Sequence, residues 1–97
     1  MNTDVSLPIK YSQATSKQRK LVREQYAREQ DGLCYWCNES LNGKAPLSVT
    51  ENKVNWKLFP IGFLKYPVHL QHNHDSDLTE GAVHAICNAV MWQYHRR

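Results

Sequence analysis

Apolar residues along this chain fall into three patterns separated by breakers. In "TSKQRKLVREQYAREQ" (Thr15 to Gln30), Leu21, Val22, Tyr26 and Ala27 recur at helical spacing on a surface that is otherwise polar. Thr15 or Ser16 can cap such a helix and Gly32 can stop it, so the spacing predicts a helix from about residue 15 to about residue 30, lying across a small core. Residues 1–12 carry no periodicity and include Pro8, and are expected as a loose N-terminal arm. From 38 to 67, Pro46, Pro60, Pro67 and the turn signal "NGK" rule out a long helix, while "VNWKLFPIGFLKYPVHL" supplies the aromatic and branched residues of short strands. Trp56, Phe59, Phe63 and Tyr66 are expected in the core, although the same rings could stack on bases. In "EGAVHAICNAVMWQYHRR", Val83, Ile86, Val90 and Tyr94 form a stripe, with His84, Cys87, Asn88, Met91 and His95 on the adjoining face, which predicts a closing helix. The sum is one α+β domain over residues 13–97, without internal repeats.

Between an insert at residues 42–66 and the closing helix lies "HLQHNHD" (His69 to Asp75). On a strand, alternation sends His69, Gln71 and Asn73 to one face and Leu70, His72 and His74 to the other. Such a pattern splits the histidines, and spacing alone leaves their roles open.

Size changes the picture. A core built from 97 residues is marginal by itself, so a staple is expected, either a metal or disulfides. Three cysteines cannot all pair, and Cys34 and Cys37 stand in "CYWC" at the spacing at which two thiolates reach one tetrahedral ion. A redox pair would need a parallel sheet with crossover helices, for which the chain has neither length nor pattern. His84 and Cys87, three apart, complete a Cys34, Cys37, His84, Cys87 zinc set that leaves no cysteine free, with His69 and His74 as competitors for the fourth place. The chain shows no signal peptide and no membrane-spanning run, so a cytoplasmic protein is expected.

Charge adds a direction. The net charge is +3, but Lys17, Arg19, Lys20, Arg23 and Arg28 are grouped against the single acid Glu24, and the chain ends on Arg96 and Arg97. That asymmetry suits phosphate contact, and it equally suits a solvated helix face with Arg/Glu pairs.

Three blocks, "QDGLCYWC" (Gln30 to Cys37), "HLQHNH" (His69 to His74) and "HAICN" (His84 to Asn88), stand in the order seen in a known family. Together they resemble the HNH, or ββα-metal (His-Me finger), endonucleases, in particular the recombination endonuclease VII branch of bacteriophages. The resemblance implies a zinc-stapled ββα-metal domain preceded by a basic helix. It also implies a DNA endonuclease that hydrolyses phosphodiesters with one divalent cation, Mg²⁺ or Mn²⁺, and a histidine general base. In that reading His72 is the base, Asn88 and Gln71 hold the catalytic cation, and His74 assists. Lys17, Arg19, Lys20, Arg23, Arg28, His69, Arg96 and Arg97 grip DNA, and a phage-encoded chain would work in the host cytoplasm. Two positions depart from the family pattern. His84 replaces the first cysteine of the second knuckle, which zinc accepts; Gln71 replaces an aspartate or histidine and supplies no negative charge. The alternative reading is therefore a degenerate fold that keeps its zinc and binds DNA or a protein without cutting.

Overall fold

The computed structural model describes residues 4–95; Arg96 and Arg97 lie outside them. Two longer helices and one hairpin carry the architecture: α1 (Ser16–Glu29), a four-residue helix α2 (Leu47–Thr50), the antiparallel strands β1 (Val68–His72) and β2 (Thr79–His84), and α3 (Ala85–His95). Single 3₁₀ turns sit at Tyr11–Gln13 and Trp56–Leu58.

Local chemistry accounts for α1. The Thr15 hydroxyl accepts from Gln18 N–H at 3.1 Å while the Gln18 side chain accepts from Thr15 N–H at 2.8 Å, a reciprocal cap that satisfies two otherwise unpaired donors. At the other end Asp31 and Gly32 both take positive φ, and Gly32 N–H returns to the Ala27 carbonyl. Of the predicted apolar stripe, Val22 is buried, but Leu21 is half exposed and Gln25 is buried in its place.

Gln25 explains why the N-terminal segment is not a loose arm from residue 4 onward. Its amide both accepts from Val5 N–H (2.9 Å) and donates to the Val5 carbonyl (2.8 Å), as a neighbouring strand would, and Arg28 pairs with Asp4. Lys10 bridges to Leu78, Ile9 N–H donates to the Thr79 hydroxyl, and the Asp77 carboxylate accepts from both Ser12 N–H and the Ser12 hydroxyl. Backbone and side-chain pairing, invisible to periodicity, ties the segment to α1 and the hairpin.

Two further expectations are corrected. Residues 80–83 are not the start of the closing helix; they belong to β2, and the helix begins at Ala85. A short apolar run fits either element, and here tertiary pairing decides: the Ala82 carbonyl accepts from Tyr35 N–H and from the Gln30 side chain, whose Oε1 accepts from Ala82 N–H at 2.9 Å. The segment 38–67 contains no strand: the sheet among the described residues is the two-stranded hairpin, and the segment contributes only an isolated bridge from Ser40 to Leu33. Pro46 opens α2 instead, and the Asn55 side chain caps the turn at Trp56.

Ala82 and Val83, neighbours that point to opposite faces, are both fully buried, so β2 runs through the middle of the molecule. Both α1 and α3 pack on the hairpin, and α2 packs on α3. Around β2 gather Cys34, Leu41, Val49, Cys87, Val90 and Met91. Gly81 must lack a side chain: a Cβ there would lie 2.8 Å from Gln30 Oε1 and 2.8 Å from Tyr35 Cγ. Gly81→Ala should therefore disturb the Gln30 bridge and destabilise the fold by about 1–3 kcal/mol, the usual cost of overpacking. Urea denaturation of the two proteins checks this, with a lower midpoint and an unchanged slope as the expected outcome.

Candidate metal centre and the cleft beside it

Cys34, Cys37, His84 and Cys87 come together at the junction of β2 and α3, their ligand atoms all within 4.8 Å of one another. Each arrives by a different route. Cys34 and Cys37 lie on a tight turn in which Asn38 takes a positive φ and its N–H bonds the Cys34 carbonyl. His84 is the last residue of β2 rather than a helical residue, and Cys87 lies in the first turn of α3. The Sγ atoms of Cys37 and Cys87 lie 3.3 and 3.6 Å from His84 Nδ1. A tetrahedral zinc with Zn–S about 2.3 Å and Zn–N about 2.0 Å sets that edge at about 3.5 Å.

The remaining chemistry agrees with that geometry. His84 Nε2 lies 2.8 Å from the Ser40 carbonyl oxygen, which can only accept; Nε2 therefore carries the proton and Nδ1 presents its lone pair to the sulfurs. The N–H groups of Trp36 and His84 point at Cys34 Sγ. A hydrogen bond from the Cys87 thiol holds Cys34 down to about 4 against the opposing effect of burial. The same contact, with burial, pushes Cys87 far up, and burial raises Cys37 as well. Binding of a divalent ion needs all three sulfurs as thiolates and would displace the protons that they carry. The group could hold a metal ion such as zinc. His69 and His74, the competitors for the fourth place, lie elsewhere.

They lie in a cleft of about 610 Å³ bounded by α1, α3, the hairpin and residues 58–63 of the 42–66 insert. The predicted split of the histidines does not hold: His69, His72 and His74 all border this cleft. The register shifts between Gln71 and His72, which pair with Gly81 and Thr79 and leave Glu80 as the extra residue of a β-bulge. A bulge of this kind redirects side chains next to it. Asn73 then shapes the loop, its side chain accepting from the N–H groups of Asp75 and Ser76.

Asn88, the residue after Cys87, donates its amide to His69 Nδ1 at 3.2 Å, and His69 meets the ring of Phe63 edge-on at 4.6 Å. Burial lowers the pKa of His69, matching its role as a neutral acceptor. His72 lies flat against Tyr11, ring centres 3.8 Å apart and 9° from parallel, and Arg19 covers the other partner of that pair, its guanidinium 3.9 Å from the Tyr11 ring centre. The His74 ring is 4.6 Å from that of His72. The pKa of His72 is lowered, first by burial and then by His74.

Gln71 is not brought to this site. It is 1% exposed, is not among the residues lining the cleft, and its Oε1 is buried without a hydrogen-bond partner while its Nε2 donates to the His72 carbonyl. The basic helix also divides. Arg19 and Arg23, one turn apart, line the cleft; Lys17 and Lys20 are exposed beside it, and Arg28 is engaged by Asp4 at the far end. Tyr11 is the residue that the sequence did not reveal, an aromatic in an aperiodic segment with nothing nearby to mark it. Trp56, Phe59, Phe63 and Tyr66 are not core residues: Trp56 and Tyr66 are exposed, and Phe59 and Phe63 are half-buried on the cleft wall.

No protein-family model matches the sequence, no curated protein matches it, and no solved structure matches the chain. Among the described residues no helix is long and apolar enough to cross a membrane.

Titration of the purified chain with Co²⁺ should saturate at one equivalent and give the visible bands of a tetrahedral thiolate complex. Cys87→Ser should weaken or abolish them and His72→Ala should leave them intact. Affinity should rise with pH across the neutral range, because Cys37 and Cys87 surrender protons on binding.

Proposed function

We propose that the chain is a small DNA endonuclease of the ββα-metal type, stapled by a structural zinc at Cys34, Cys37, His84 and Cys87. One observation carries the reading: His72 at the end of β1 and Asn88 in the first turn of α3 open onto the same cleft as Arg19 and Arg23. The order hairpin then helix, with the Cys/His group at the joint, supports it.

In this reading a phosphodiester lies in the cleft with its non-bridging oxygens toward Arg23, which can donate in pairs to an oxyanion, and toward the remaining N–H groups of Arg19, whose Nε and Nη2 already donate to the Tyr11 carbonyl. His72, neutral near pH 7, accepts a proton from a water as that water attacks phosphorus, and the P–O3′ bond breaks with the departing 3′-oxygen taking a proton from solvent water. Tyr11 holds the plane of the His72 ring, and His69 holds the Asn88 amide by accepting from its nitrogen, which leaves Oδ1 to face a ligand. The Mg²⁺ or Mn²⁺ ion implied by the family resemblance finds a poor donor set: one amide oxygen and imidazoles, with no carboxylate among the lining residues and Gln71 turned into the interior. Hard cations prefer several charged or carbonyl oxygens. These residues do not fit that ion.

The same observation about Gln71 favours the second reading, a domain that binds DNA in this cleft without cutting. A supercoiled-plasmid nicking assay with Mg²⁺, Mn²⁺, Ni²⁺ or no added ion separates the two. The endonuclease reading expects nicking that His72→Ala lowers by about 10²–10⁴-fold with the bound zinc unchanged. Cutting that survives His72→Ala removes the base assignment, and no cutting by a zinc-loaded protein leaves the binding reading.

The pH profile provides a separate check. His72 acts as a base only when neutral, and burial with His74 close by lowers its pKa below the ordinary value of about 6.5. The nicking rate should therefore fall on acidification with a midpoint below that value and be level through neutrality.

A further inference from the structure

The cleft has two unlike walls. On one side stand Arg19 and Arg23 with Tyr11, His72 and His74; on the other a run of rings from Trp92 to Phe59 (5.3 Å between centres), Phe59 to Phe63 (4.8 Å) and Phe63 to His69 (4.6 Å). The rings meet tilted or edge-on rather than sealing one another's faces, and Trp92 remains 40% exposed. In so small a protein this is a costly arrangement, because the insert buries little of the apolar surface it brings: Leu58, Ile61, Leu64 and Tyr66 are exposed around it. Phosphate contact alone would need only the first wall.

We propose that the aromatic wall is a base-binding subsite, taking the face of an unpaired nucleotide against Phe59, Phe63 and Trp92 while that nucleotide's phosphate meets Arg19 and Arg23. This rests on the cleft being the nucleic-acid site of the proposed function. Charge selects the occupant: no acidic residue lines the cleft, and the insert carries Lys57 and Lys65, both exposed, so the partner is an anion with an aromatic body. The cleft volume of about 610 Å³ has room for a group the size of a nucleobase, since sites for small organic groups run from about 300 to about 1,000 Å³. A base inside a duplex has both faces covered by its neighbours and cannot stack on protein, so the base that enters must be unpaired. The insert 56–66 then selects single-stranded or locally opened DNA.

The test compares three fluorescently labelled probes by anisotropy, using zinc-loaded protein: a 12-mer of thymidylate, a strand of the same length with abasic sites in place of bases, and a 12-base-pair duplex. The thymidylate strand should bind about 5- to 100-fold more tightly than the abasic strand, the range expected for one or more stacked bases. Trp92→Leu, which keeps apolar bulk but removes the ring, should erase that difference, while Trp92→Phe should restore it. Equal affinity of the wild-type protein for the two strands overturns the subsite, whatever the variants do, and so does a difference that survives Trp92→Leu in a protein of wild-type zinc content. Duplex binding without base preference removes the subsite alone; no binding of any probe removes the nucleic-acid reading with it.

Discussion

Four side chains from three separate stretches, Cys34 and Cys37 on a turn, His84 ending a strand and Cys87 opening a helix, converge on one point, and the rest of the molecule is arranged around it. Cys34 and Cys87 are members of the buried cluster as well as of this group, so a chain too short for a large core places its metal-capable group within the core it has. The junction also sets the neighbouring chemistry. Asn88 follows Cys87 directly, and any rotation of the first turn of α3 that moved the thiol would move the amide with it. The Ser40 carbonyl, by taking the Nε2 proton of His84, makes a loop residue part of the same assembly.

Around this fixed joint the cleft is built from pieces with little stability of their own. A two-stranded hairpin is marginal in isolation. Here β2 is covered on both faces, and its backbone pairs beyond the sheet with Gln30 and Tyr35. The N-terminal segment contributes the Tyr11 ring that lies on His72, held in place by Gln25, Asp77 and Thr79. The bulge opposite Glu80 gathers the histidines and leaves Gln71 inside. That buried and unpartnered amide oxygen is the one strained polar feature among the described side chains. Leaving such an atom unsatisfied costs about 1–3 kcal/mol, and the cost falls beside the residue assigned as base.

Much of this was readable in the chain, for reasons that are local. The reciprocal cap and the positive-φ stop of α1 depend on residues within a few positions of one another, and the Cys-x-x-Cys and His-x-x-Cys spacings bring ligands together over a single turn. Local rules could not place residues whose partners are distant. Residues 80–83 have an apolar pattern that suits helix or strand equally, and the choice was made by Gln30, Tyr35 and β1. The aromatic residues of the insert were expected inside, as composition favours, but the core is filled by smaller side chains from β2 and α3, which leaves the rings on the cleft wall.

The chain by itself determined the α1 helix and the Cys34/Cys37 and His84/Cys87 pairs as metal-capable side chains, because each follows from residue type and short spacing; the grouping of His72 with a basic helix came from the family resemblance. Only the tertiary structure decided which histidines share the cleft, that Gln71 is withdrawn from it, that Arg28 is spent on Asp4 while Arg19 and Arg23 face inward, and that Tyr11 supports His72. Each of these depends on a strand register or a contact between distant segments, and a one-residue shift in pairing, such as the bulge at Gln71 and His72, redirects side chains that sequence periodicity would assign to the opposite face.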